Sequence, residues 1–330
     1  MTGVENGGAA AHNKRRHLAI AAAVLVMSAG LTYAATFIEW REVGRALAVA
    51  HPGWVLAAVL ANLAGLPLWT LSVRLMLPNG EPVDFRRLLE VQAVTLAATQ
   101  ILSIVTGGAT AVYFLIRHAG LSRNAALAVL ALEQVVSGIV KLILVGAAAM
   151  LVASSGPLRT AWLPLFGAVA AAFVAVSVAL RAEGRLRRIA SRGDRIGRAS
   201  GAFADWCAKL DVLRRPARLA AVITLALARR GLEAVAALAI QITCGVPVSF
   251  ELALLVIAAI AVATILPGPP GNLGLYEAAV VFAYGRTGIA VEIAVAAAVL
   301  QHAAYLVASA VPGYLLLATG RVWPRSSDNT

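Results

Sequence analysis

Long apolar runs dominate this chain and leave it few ways to fold. A helix needs about 20 consecutive apolar residues to cross a bilayer. Six runs meet that length, at about 18–38, 53–77, 124–153, 159–180, 218–243 and 289–320. Each reads as a full crossing. Composition agrees: 60% of the 330 residues are hydrophobic and only 13% charged, against roughly half and a quarter in an ordinary soluble domain. A water-soluble enzyme, a secreted disulfide scaffold and a disordered chain are therefore excluded. The net charge of +12 does not point to nucleic acid, because the cations sit between apolar runs rather than on a soluble surface. The N-terminal run after Lys14, Arg15 and Arg16 is as long as a full span, so it reads as a first helix and not a cleavable signal.

Positive charge sets the sidedness. Eleven cations, from Arg181 to Arg218, fall between about 181 and 218, opposed only by Glu183, Asp194, Asp205 and Asp211. That loop is expected in the cytoplasm. Arg86, Arg87, Arg117, Arg123, Arg321 and Arg325 follow it there. In this topology 21 of the 28 cations lie inside and four outside, with Lys141, Arg229 and Arg230 within helices. Within the loop, Phe203, Trp206, Cys207, Leu210 and Leu213 recur at helical spacing among cations, the pattern of an interfacial helix on an anionic leaflet. Cys207 and Cys244 then lie on opposite faces, so no disulfide is expected.

Two further apolar stretches, 88–116 and 250–285, are too long for one span and too short for two. Both ends of the first lie inside and both ends of the second outside. Glycine and proline interrupt each: Thr106-Gly107-Gly108 in the first, 266-LPGPPGNLG-274 in the second. Two re-entrant hairpins of opposite orientation satisfy both the lengths and the sidedness, and paired broken segments of this kind mark inverted-repeat transporters. Kinked ordinary helices, giving up to ten crossings, are the alternative. The expected fold is an all-α polytopic membrane protein. Its parts are a tail (1–17), a first membrane half (18–180, hairpin 88–116), a basic cytoplasmic loop (181–217), a second half (218–320, hairpin 250–285) and a second cytoplasmic tail (321–330).

Charged and polar groups inside spans are costly and so point to function. Glu277 follows the Asn272-Leu273-Gly274 break, as a proton carrier or headgroup ligand, or as a plain helix cap. The backbone donors of Gly271 to Leu275 can hold a phosphate at a helix N-terminus. Glu133 and Lys141 lie eight residues apart on one helix, about 12 Å along its axis. Gln134, Ser137 and Lys141 form a polar stripe expected to face the bundle interior, with Lys141 on a lipid phosphate or in a structural network. His302 stands in the middle of the last span, with an unperturbed pKa of about 6.5, as a proton relay or a satisfied core histidine. Arg229, Arg230 and Glu233 are expected at the cytoplasmic interface, Arg229 and Glu233 as an i,i+4 pair, with an anionic-lipid contact as the alternative.

The stretch 267-PGPPGNLGLYEAA-279, its approach 245-GVPVSFELALLVIAAIAVATILP-267, and the first-half segments 107-GGATAVYFLIRHAGLS-122 and 132-LEQVVSGIVKL-142 resemble the lysylphosphatidylglycerol synthase transmembrane-region family. The resemblance covers essentially the whole chain and implies a flippase-like integral membrane protein. The chain departs from the family pattern at Ala109 and Val112, where members often carry Glu and Arg, and at Gln301-His302, where they tend to carry Arg. The large fused enzymes of this family add a soluble aminoacyl-transfer domain. The chain stops at Thr330, so lysyl transfer is not expected.

Together these readings describe a transporter for a phospholipid or a polyprenyl-phosphate-linked lipid in the cell membrane, with both termini cytoplasmic. Its headgroup site would combine Gly107, Gly108, Glu133, Lys141, Gly271, Asn272, Gly274, Glu277 and His302. Drive would come from a proton gradient through Glu277 or His302, or from the lipid gradient alone. No enzyme motif, metal cluster, Walker loop or cofactor site stands out. The expected partners are membrane lipids, anionic or phosphate-bearing, with a second copy or an envelope-synthesis protein as further options. The rival readings are a membrane-embedded transferase or accessory subunit acting on lipid-linked envelope precursors, and a structural partner that docks through its basic loop.

Overall fold

A computed structural model describes residues 36, 38–78, 81, 83–101, 104–152, 167, 188, 215–265, 269–320 and 322. The crossings expected at 18–38 and 159–180, the first tail, and the interfacial helix with Cys207 lie outside these residues. Among the described residues the chain is all-α, with nine helices and no strand. They are α1 (Trp40–Ala48), α2 (Pro52–Met76), α3 (Phe85–Ile101), α4 (Ile104–Arg117), α5 (Arg123–Val152), α6 (Pro216–Thr243), α7 (Phe250–Ala263), α8 (Leu275–Gly285) and α9 (Val291–Ala318). A single 3-10 turn, Pro270–Asn272, precedes α8.

Among the described residues, three helices are long and apolar enough to cross a membrane: Pro52–Met76, Arg123–Met150 and Val291–Ala318. They match three of the expected crossings. Helix α6 matches the extent of a fourth with 28 residues, but carries Arg218, Arg229, Arg230 and Glu233. It lies antiparallel to α2. Thr243 at its C-terminal end accepts the His51 amide on Oγ1 at 2.7 Å, at the start of α2. His51 also caps α2, its Nδ1 accepting the Gly53 amide at 3.2 Å, and Pro52 follows at the first helical position. A proline there loses no intrahelical bond.

The two broken stretches form two helical hairpins, α3–α4 and α7–α8. With 17, 14, 14 and 11 residues, no arm reaches the length of a span. The arms of each pair pack against one another. The base of α3–α4 shares a core with the C-terminal end of α2, through Val73, Leu77, Leu88, Leu115 and Leu121. The base of α7–α8 packs with the opposite end, through Ala58, Val246, Leu252 and Tyr284. The hairpins thus enter the bundle from opposite ends, and their tips touch. Gly271 lies so close to the Gln100 carbonyl that a Cβ on it would sit 3.3 Å from that oxygen.

The second hairpin breaks where the prolines and glycines are. The first does not. Its helices part between Ile101 and Ile104, and Gly107 and Gly108 lie inside α4. The expectation of a break at Thr106-Gly107-Gly108 is corrected. Gly107 is buried, and a Cβ there would overlap the Thr99 methyl on α3. The glycine serves close approach of the two arms, and a helix tolerates one glycine for about 1 kcal/mol. Gly313 works the same way between α9 and α3, where a Cβ would run into the Ala93 carbonyl and Ala97. Apart from Gln301 and His302, the buried face of α9 is small too, with Ala294, Ala297, Ala298, Ala304 and Ala308. Small residues let helix backbones approach closely where lipid offers no hydrophobic drive.

Candidate functional site

The tip of the second hairpin is built around His302 of α9. Its ring is 2% exposed. Nε2 lies 3.0 Å from the Gly271 carbonyl, and Nδ1 lies 2.7 Å from Glu277 Oε1. A carbonyl oxygen only accepts, so Nε2 carries a proton and donates it there. One proton then remains for the contact between Nδ1 and the carboxyl group. It sits either on Glu277, which donates to a neutral imidazole, or on Nδ1, which donates to a carboxylate. Both arrangements are neutral overall. A second proton would set two donors face to face, and removing the proton would set two lone pairs face to face. The geometry therefore fits one shared proton.

Glu277 does more than hold that proton. Its Oε2 accepts the Gly274 amide at 2.7 Å, at the N-terminus of α8. The capping foreseen as the plain alternative for this residue occurs on one oxygen, while the other meets His302, a pairing that was not foreseen. The capping alters the expected phosphate cradle. The Asn272 and Leu273 amides donate to the Pro269 and Pro270 carbonyls at 2.9 and 3.5 Å, so three donors of the Gly271–Leu275 stretch are already engaged inside the protein. The turn itself needs glycine: Gly271 has φ 66° and Gly274 φ 84°, a region that L side chains avoid. Asn272 also takes a positive φ, 56°, which asparagine tolerates better than most residues.

From His302 an aromatic path runs towards α6. Tyr276 stacks on His302, with ring centroids 4.2 Å apart and planes 9° apart, and Tyr305 lies 6.0 Å beyond. Tyr305 lines a recess between α2, α3, α6 and α9 together with Trp69, Arg229 and Glu233. There the Arg229 guanidinium lies over the Trp69 ring, 4.9 Å from its centroid. The Trp69 Nε1–H donates to Glu133 Oε1 at 2.7 Å. Glu233 meets Arg230 at 2.6 Å and Arg229 at 3.7 Å. Lys141, two turns beyond Glu133 on α5, is in electrostatic reach of Arg230 and Glu233.

The nine residues singled out from sequence therefore separate. Gly271, Gly274, Glu277 and His302 converge on one point, with Asn272 in the same turn. Glu133 and Lys141 belong to the neighbouring group on α6. Gly107 and Gly108 serve packing: Gly107 faces Thr99, and Gly108 faces Leu130 of α5. Gln134 is exposed, while Leu132, Val136, Val140 and Leu144 form the buried stripe of α5. Of the expected polar stripe, Gln134 is exposed while Ser137 and Lys141 are half-buried, because the apolar stripe beside it holds the buried position.

Arg229, Arg230 and Glu233 depart furthest from expectation. They form the expected i,i+4 contact, but they lie midway along α6, about 20 Å from its start by helical rise, because the helix begins at Pro216. Tyr305 is readable in the sequence only as a neighbour of His302, and Trp69 is not marked at all. A signal existed: α2 contains Pro67 and α9 contains Pro312. A proline in a helix interior frees the carbonyl four residues back. For Pro312 that is Ala308, which lines the recess. Two prolines in two spans flanking one point are a readable mark of an irregular site.

No curated protein matches the chain. The family model described as "Lysylphosphatidylglycerol synthase TM region" matches residues 18–313. The chain is a membrane protein built from apolar helices, and it belongs to the lysylphosphatidylglycerol synthase TM region family.

Proposed function

We propose that this protein is a flippase-like transporter that carries a phosphate-bearing lipid between the leaflets of the cell membrane. The observation that supports it most is the Glu277–His302 pair, set where the tips of two opposed hairpins touch. A carboxylate and an imidazole sharing one proton at that depth form a switchable contact. The Gly271 carbonyl on Nε2 couples it to the hairpin tip. In this reading the hairpins are re-entrant, the first dipping from the cytoplasm and the second from the outer face, with both termini cytoplasmic by the positive-inside rule. Rocking of one half against the other would open the tip to each face in turn. The shared proton would couple that motion to the proton gradient.

The test is lipid movement in proteoliposomes of the purified chain, with a fluorescent phospholipid and a polyprenyl phosphate as probes. Glu277→Gln keeps both contacts, since the amide accepts from Gly274 and donates to Nδ1, but it has no proton to transfer. We expect movement to fall at least tenfold with an unchanged melting temperature. Wild-type movement in Glu277→Gln would remove the pair from the mechanism. A membrane transferase would instead convert a lipid-linked donor without moving lipid, and product analysis of the same vesicles separates the two.

A further inference from the structure

We infer that the tip of the second hairpin is a one-proton switch: it closes on His302 with a proton shared between His302 and Glu277, and it releases that proton when it opens at neutral or alkaline pH. The inference deepens the transport reading, on which the motion of the tip rests. The proton count stands on the geometry of the closed tip.

One short segment, Gly271 to Glu277, engages both nitrogens and a face of the His302 ring. The Gly271 carbonyl meets Nε2 at 3.0 Å, Glu277 meets Nδ1 at 2.7 Å, and Tyr276 stacks at 4.2 Å. The ring is 2% exposed. Withdrawal of this segment therefore removes both hydrogen-bond partners and the stacked ring together, and it admits water to the imidazole and the carboxylate.

The closed tip holds the Nε2 proton and one shared proton. In water a glutamate titrates at about 4.3 and an imidazole at about 6.5. Between these values the open form is a carboxylate and an imidazolium. It then carries the same protons as the closed form, and opening is independent of pH. Above about 6.5 the open imidazole loses a proton that the closed tip keeps, so opening releases one. The closed form is lost as pH rises, and the ratio of open to closed grows by up to about tenfold per pH unit.

No other group facing the pair titrates in that range. Tyr276 and Tyr305 are phenols, which ionise at about pH 10, and carboxylates titrate well below it. On α6, Arg230 and Glu233 lie in electrostatic reach of Tyr276 and meet each other at 2.6 Å, with Arg229 alongside. An arginine keeps its proton throughout. The tip of α3 presents the Gln100 carbonyl, which is uncharged. Arg74 of α2, Arg86, Arg87 and Glu90 of α3, Glu251 of α7 and Glu292 of α9 stand near the ends of their helices, and Arg41, Glu42 and Arg45 of α1 precede the start of α2. His51 caps α2, and His118 is bonded to Glu90 at the mouth of the first hairpin.

The experiment follows the tip itself. Nitroxide labels are placed at Leu273 on the tip and Leu315 on α9, both exposed, in the full chain with Cys207 and Cys244 replaced by serine. Their distance distribution in liposomes is measured by pulsed electron resonance from about pH 5.5 to 8.5, which brackets the imidazole value. We expect a second distance whose population is constant below about pH 6.5 and grows above it. Glu277→Gln should reverse the sign. Its amide donates to Nδ1, so the closed tip holds a neutral imidazole, and acid opens it by protonating the ring in water. His302→Gln should abolish the response, which separates it from His51 and His118. A merely structural contact would weaken in Glu277→Gln without reversal. A constant wild-type distribution, opening of the wild type by acid, an unreversed sign in Glu277→Gln or a surviving response in His302→Gln each overturns the inference. A tip that opens with the expected sign in a chain that moves no lipid keeps the switch and defeats the transport reading. Lipid movement with a tip indifferent to pH does the reverse.

Discussion

The two hairpins have similar outlines and opposite chemistry. In α3–α4 a group of polar contacts lies at the mouth. Glu90 bridges His118 at 2.8 Å and Arg86 at 3.3 Å, and Glu81 accepts the Ser122 hydroxyl at 2.6 Å. Its arms are Phe85–Ile101 and Ile104–Arg117, and Gly107 is used to bring them together. In α7–α8 the polar contacts lie at the tip, where the chain between Ala263 and Leu275 turns through prolines and positive-φ glycines. Where each hairpin is bonded indicates its role. On the transport reading, the hairpin tied at its mouth and packed along its length is the fixed wedge. One tied at its tip by a shared proton has a contact that can be released.

That contrast can be broken in order of effect. The largest change is expected at the second tip: Glu277→Gln should reduce lipid movement at least tenfold, while Glu90→Gln at the first mouth leaves it within about twofold. Either result reversed would exchange the roles of the hairpins. Gly313→Ala comes next. Its Cβ meets a backbone carbonyl and the Ala97 methyl, neither of which can rotate away, so a loss of about 3 kcal/mol is expected, read as a lowered melting temperature in detergent. Gly271→Ala should cost about 1–2 kcal/mol from its left-handed backbone, with the close Gln100 carbonyl adding strain at the tip. Gly107→Ala should cost about 1 kcal/mol or less, because the obstacle is a threonine side chain that can turn and alanine restores helix propensity. If Gly107→Ala proved worse than Gly313→Ala, the wedge would be held by its own arms rather than by α9. Smallest is Arg86→Gln, at about 0.5 kcal/mol for an exposed partner of an ion pair.

Legibility from the sequence followed the range of the interaction. The break in the second hairpin was readable because proline and glycine act on their own backbone. The break in the first was misplaced by a few residues, since Gly107 has its role only against Thr99. Glu277 and His302 could each be marked as costly at membrane depth. Their pairing could not, because they stand 25 positions apart, across a helix, a turn and part of another helix. Arg229 reads as interfacial in the sequence because its depth is set by its neighbours Trp69 and Tyr305 on other helices, which only packing brings to it.

The chain alone determined its solvent and its class. Apolar runs of span length, cations confined to a few loops and two interrupted segments leave an all-α membrane protein, since the backbone must satisfy itself within the bilayer. Residues 267–279 were enough to suggest the family. What the tertiary structure decided is which costly groups meet. A side chain bears its cost of burial by itself, so sequence can flag it. A hydrogen bond, a shared proton or a guanidinium over a ring exists only between two groups, and the packing of α2, α6, α8 and α9 brings those pairs together.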